Sequence, residues 1–317
     1  MPVLTDDTKY RSTRIAVAIG FFMVAWQSFI GPLSHQFQFS FFIISIFAFG
    51  IQHGALDHLI EAEIARQKQA SFRIVAFLAR NGMLIMIYAL LWYLLPQTSF
   101  LLFILMSGWH FGETDVSGNN SKIIASAAKL VYGVSIIGWL LFSHPQEAGD
   151  IISSILPAND TTYQLWLTAV GYSNFILIIC GILIMVILVA NQLKHNNPRD
   201  IRLLFNLLLI LTCCAVLPLL PSFALYFAGW HSVITLHNTT VFIQKKNRNG
   251  LPLRFGKLWL KALPLSITAM AGLLLTGYLL QHYAPRFQPL PLLFVFLSLI
   301  TLPHMNVMHQ LNKRLFV

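Results

Sequence analysis

Four histidines of this 317-residue chain sit inside apolar stretches, each within a short polar signature. They are His53 in His53-Gly54-Ala55-Leu56-Asp57-His58, His110 in Trp109-His110-Phe111-Gly112-Glu113-Thr114-Asp115, His231 in Trp230-His231-Ser232, and His304 in Pro303-His304. Imidazole is the commonest metal ligand. An ionisable side chain within a membrane span is costly and by default marks function. A single such histidine is more often a packed residue satisfied by a backbone carbonyl. Four at one depth, on four helices, instead make an intramembrane metal site.

Other polar groups cluster around these four. Asp57 follows His53 by four residues, on the same helical face, and Glu113 and Asp115 follow His110 by three and five. A carboxylate here either lies at a solvated helix end or hydrogen-bonds a ligand imidazole and fixes its orientation. The first reading suits Glu113 and Asp115; Asp57 is expected to support the site. His58, His237 and His309 are rotated away from their neighbours in regular helix, which places His58 and His309 at the interface and leaves His237 as the alternative to His304 as fourth ligand. Trp109, Trp230, Phe111, Tyr226 and Phe227 surround the histidine motifs in sequence and are expected to line a site for a long apolar substrate. Gly54 and Gly112 allow close helix approach.

The elements that must position these groups are membrane spans. The chain is 56% hydrophobic and only 10% charged, against about 25% charged in a soluble domain. Its net charge of +10 does not point to nucleic acid, because the basic residues fall in short loops between apolar runs, as topogenic charges do. No removable signal peptide is read at the N-terminus. Cys180, Cys213 and Cys214 lie in apolar runs and indicate neither a disulfide framework nor a thiolate site. The expected fold is all-α: a polytopic transmembrane helical bundle forming a single integral-membrane domain over residues 1–317. Ten spans are read, at 14–30, 38–53, 74–95, 98–112, 123–143, 165–190, 203–220, 222–243, 262–281 and 288–309. With both termini cytoplasmic, all but Arg286 of the 21 basic residues fall on the cytoplasmic side, Arg80 and Lys129 reaching it by snorkelling.

The four histidines then lie on spans two, four, eight and ten, all running from outside to inside. Each precedes the next cytoplasmic Lys or Arg by 9 to 14 residues, which places the set in the cytoplasmic half of the membrane.

The first two histidine motifs, with Trp230-His231-Ser232 and Pro303-His304 in the same order, resemble the Brp/Blh family of bacterial and archaeal integral-membrane β-carotene 15,15′-dioxygenases. The resemblance covers nearly the whole chain. It implies cleavage of the central double bond of β-carotene by O₂ to two all-trans-retinal molecules, on an Fe(II) held by His53, His110 and His231. It also implies residence in the bacterial inner membrane, access to the substrate from lipid, and a functional link to a retinal-binding rhodopsin. Because β-carotene is about as long as the roughly 30 Å hydrocarbon core and the histidines lie in its cytoplasmic half, the resemblance further implies a tunnel roughly parallel to the membrane. The family often carries another histidine four residues after the position of His231; here that residue is Thr235, so His237 and His304 both stand for the fourth ligand. Gln52 stands where the family commonly has proline. A di-iron hydroxylase would need adjacent histidine pairs, which this chain lacks. A non-enzymatic haem, metal redox or transport subunit is the remaining alternative.

Overall fold

The computed structural model describes residues 6–116, 123–156, 160–195, 198–244, 255–283 and 288–315, which are helical almost throughout and contain no strand. In order, α1 covers Asp6–Phe29, and one interrupted helix runs through α2 (His35–Ser45), a π-helical segment π1 (Ile46–Gly50), α3 (Ile51–Gly54) and α4 (Asp57–Gln67). There follow α5 (Ile74–Leu94), α6 (Pro96–Asp115), α7 (Ile123–Ser143), α8 (Pro145–Ile155), α9 (Thr161–Val170), α10 (Ser173–His195) and α11 (Pro198–Val216). A second interrupted helix comprises α12 (Leu219–Ala224), π2 (Leu225–Ser232) and α13 (Val233–Gln244), before α14 (Phe255–Tyr283) and α15 (Pro289–Leu315). Among the described residues seven helices are long and apolar enough to cross a membrane, which marks a membrane protein.

Local chemistry sets these boundaries. Pro96 and Pro145 occupy the first helical positions of α6 and α8, where a missing N–H costs nothing. The Ser34 hydroxyl caps α2 by accepting from the Phe37 N–H, and Asp160 caps α9 through Thr162 and Tyr163. Large apolar side chains such as Met86, Tyr93 and Leu274 point outward, as they do where lipid rather than water surrounds a bundle.

Each apolar stretch read from the sequence falls on helix. The stretch 165–190 is nevertheless two helices, α9 and α10, parting at Gly171-Tyr172. The segment after His144, taken as loop, is the amphipathic α8. Lys122, Lys245, Lys246, Arg248, Arg254 and Arg286, which entered the charge argument, lie outside the described residues. Lys129 does not snorkel: it is buried, and Glu113 supplies the opposite charge acting on it. Arg80 behaves as expected, with an exposed guanidinium paired to Glu61.

The tightest joint is between α6 and α7. A Cβ at Gly112 would overlap the carbonyl of Lys129, one at Gly133 the carbonyl of Gly108, and one at Gly108 would lie 2.7 Å from Val134. Three glycines thus bring two backbones together, holding α6 and its His110 at a fixed distance from α7. Helix α15 packs against α5 and α6, and α13 against α4, so four histidine-bearing segments converge.

Candidate metal centre and substrate cavity

His53, His110, His231 and His304 are all buried. One ring nitrogen from each of His53, His110 and His231 lies within 4.8 Å of the other two. His304 joins this trio with its ring centroid 4.8 Å from that of His53 and 4.9 Å from that of His110. The four sequence-separated motifs therefore meet, as their common depth allowed.

Irregular backbone positions three of them. π1 ends three residues before His53, and His231 lies inside π2. A π segment inserts residues into the helical ladder and re-aims the side chains around it, which is why such segments recur at functional sites. The two π segments contact each other, and Gly50 makes room for Phe227: a Cβ there would come within 2.8 Å of that ring. Pro303, inside α15, removes one ladder N–H immediately before His304.

Hydrogen bonds distinguish the four rings. His304 Nδ1 donates to Asp57 at 2.9 Å from Oδ1 and 3.0 Å from Oδ2, leaving its Nε2 buried with no partner. His53 Nδ1 lies 3.4 Å from the Phe49 carbonyl. His231 Nε2 and His110 Nε2 are 3.0 Å apart, and the Nδ1 atoms of both are buried without a partner. Asp57 thus supports His304 rather than His53. The cause is local: the helix breaks at Ala55-Leu56, so the four-residue spacing no longer stacks Asp57 under His53.

The expected solvated helix end at Glu113 and Asp115 is corrected. Glu113 is fully buried and accepts from His309 Nδ1 at 2.6 Å. Asp115 Oδ2 accepts from the Tyr132 hydroxyl, the Tyr226 hydroxyl and the Trp230 indole N–H at 3.0, 3.1 and 3.0 Å. His58 bonds its own turn through the Ala55 carbonyl. His144 is half-buried and 2.7 Å from the Cys214 carbonyl. His237 lies half-buried on α13 and is not one of the trio.

A large apolar cavity opens beside the cluster, walled in part by His53, His110, His304 and Asp57. Of the five aromatic residues read as substrate-lining, Phe111 and Phe227 form its wall. Trp109, Tyr226 and Trp230 lie outside that lining: Tyr226 and Trp230 turn to Asp115, and the Trp109 ring faces His309 at 6.3 Å. The polar edges of Tyr226 and Trp230 found their partner in Asp115, as buried Tyr and Trp require. Sequence reading missed Phe77, Ile85 and Trp92 on α5 and Phe100 and Phe103 on α6, which carry no polar motif to set them apart from other apolar residues of their helices.

The cavity extends along the helices that wall it. Along α5 its wall runs from Phe77 to Trp92, about 22 Å of helix at 1.5 Å per residue. Along α6 it runs from Phe100 to Phe111, about 16 Å by the same rise. One apolar stripe of each helix thus lines it, and Leu265 and Ala269 of α14 contribute a further wall.

This arrangement meets independent comparisons. A family model described as beta-carotene 15,15′-dioxygenase matches residues 44–312. The chain belongs to the β-carotene 15,15′-dioxygenase family. Membership makes it an enzyme, a carotenoid-cleaving dioxygenase, and the apolar cavity against a polar cluster is what such a reaction needs. A curated relative named beta-carotene 15,15′-dioxygenase, from an uncultured marine bacterium 66A03, is 26% identical over 257 residues, covering 81% of this chain and 87% of its own length. No solved structure matches.

The donor set fits a divalent cation. The His110 and His231 rings oppose each other Nε2 to Nε2 at 3.0 Å, and the Nε2 of His304, whose opposite edge is held by a carboxylate, is buried with no partner among the described residues. A cation in their midst would satisfy those lone pairs, and Asp57 would offset part of its charge.

Proposed function

We propose that the chain binds one Fe(II) through His53, His110, His231 and His304, and cleaves the 15,15′ double bond of β-carotene with O₂ to give two all-trans-retinal molecules. The C15=C15′ bond breaks, and each new aldehyde takes one oxygen atom of O₂. The carrying observation is the juxtaposition of the buried histidine cluster with the long apolar cavity. His304 is preferred to His237 as fourth ligand because its ring lies 4.8 Å from that of His53, its Nδ1 is anchored on Asp57, and its Nε2 is buried with no partner among the described residues.

Iron, when bound, supplies the oxygen chemistry. The chain's own residues do the rest. The aromatic and aliphatic wall binds the polyene and excludes water. Phe111 and Phe227, stacked beside the His231 ring at 4.7 and 5.8 Å, hold the polyene's middle near the histidines. Asp57 keeps the His304 proton on Nδ1, presenting Nε2 for ligation. The proposed setting is a single integral-membrane domain of ten spans in the bacterial inner membrane, with both termini cytoplasmic. Substrate would arrive from lipid, and retinal would pass to a rhodopsin.

The test is expression in a β-carotene-accumulating bacterium, with chromatography of the extracted pigments. Retinal should appear as β-carotene falls. Unchanged β-carotene, or unequal apocarotenal fragments, would overturn the reading.

A further inference from the structure

Asp115 takes no part in the donor set and does not line the cavity, yet three side chains donate to a single one of its oxygens. Tyr132 comes from α7, and Tyr226 and Trp230 come from π2. Its other oxygen, Oδ1, is buried with no partner among the described residues. Leaving a charged acceptor half-satisfied is expensive, and a neutral acceptor would serve a mere strut. A carboxylate oxygen accepts from all three donors at once, at 3.0–3.1 Å, so what Asp115 adds is a joint between α6, α7 and π2.

The group in need of rigidity is the neighbouring imidazole. His53 has the Phe49 carbonyl and His304 has Asp57 on the ring edge away from the cluster. His231 has no such partner on Nδ1. Its ring is placed by the backbone of π2 and by packing on Phe111, whose centroid lies 4.7 Å from His231 and 5.2 Å from Tyr226. Trp230 adjoins His231 in sequence, and Tyr226 lies one π turn before it. Asp115 grips both, and it shares α6 with His110 and Phe111. We propose that Asp115 is a positioning residue for the metal centre: it clamps π2 onto α6 and thereby fixes His231 opposite His110. The inference rests on the metal-site reading above.

Cobalt(II), added to the purified full chain, is the probe, since its visible absorption bands report ligand geometry without turnover. Asp115→Asn is expected to shift those bands and to weaken Co(II) binding about tenfold, the lower end of the usual cost of losing an outer support. Trp230→Phe and Tyr226→Phe, which each remove one donor and keep the carboxylate, should shift the bands in the same direction by less; they also serve if Asp115→Asn does not fold. Wild-type bands and affinity in the folded variants, whatever their thermal stability, overturn the role of Asp115 and leave the metal site standing. A wild-type chain that takes up no Co(II) overturns both.

Discussion

At the scale of single residues, the motifs and the fold made different parts of the site legible. The histidines could be read because a charged or polar group in an apolar run is rare and costly, so each stood out. Their supports could not, because they depend on departures from regular helix. Asp57 reaches His304 only through the break at Ala55-Leu56, and Asp115 meets Tyr226 and Trp230 only where π2 turns them. Tyr226 and Trp230 were read as substrate walls for their rings, whereas their polar edges, bonded to Asp115, decided their direction. Two outcomes are expected here. His304→Ala should lose iron while His237→Ala keeps it, as measured by metal analysis of purified protein; the reverse pattern would restore His237 as the ligand. Asp57→Asn should retain the fold but lower iron affinity or turnover about 10–100-fold, as titration against a competing chelator and a rate assay would show.

At the scale of elements, the apolar stretches were legible from hydropathy alone, and their interruptions were not. Nothing in the residues 165–190 announced the break at Gly171, and α8 was hidden because eleven amphipathic residues are too few to read as a span. The glycine joint of α6 and α7 was visible only as small residues of the general kind that packs helices. Its consequence is specific. Gly112→Ala should force α6 and α7 apart and destabilise the protein by about 1–3 kcal/mol or more, whereas Gly82→Ala on α5, where a Cβ meets nothing within 4 Å, should be nearly neutral. Thermal unfolding in detergent distinguishes the two, and equal midpoints would contradict the close joint.

At the scale of the whole molecule, depth arguments anticipated that the four histidines could meet. They said nothing of the wall beside them, which the apolar stripes of α5 and α6 supply along their axes. Bulk placed in that wall should therefore act at a distance from the metal. Ile85→Trp on α5 is expected to cut carotenoid turnover sharply while iron content stays at the wild-type level, and turnover at the wild-type rate would show that substrate does not use this length of the cavity. The central claim is that the buried histidine cluster holds the metal on which cleavage depends. Quantifying iron in the purified chain and in its His110→Ala variant tests this most directly. The account predicts about one iron per wild-type chain and essentially none in the variant, with retinal formation lost in step; a His110→Ala chain that forms retinal at the wild-type rate without iron would contradict it.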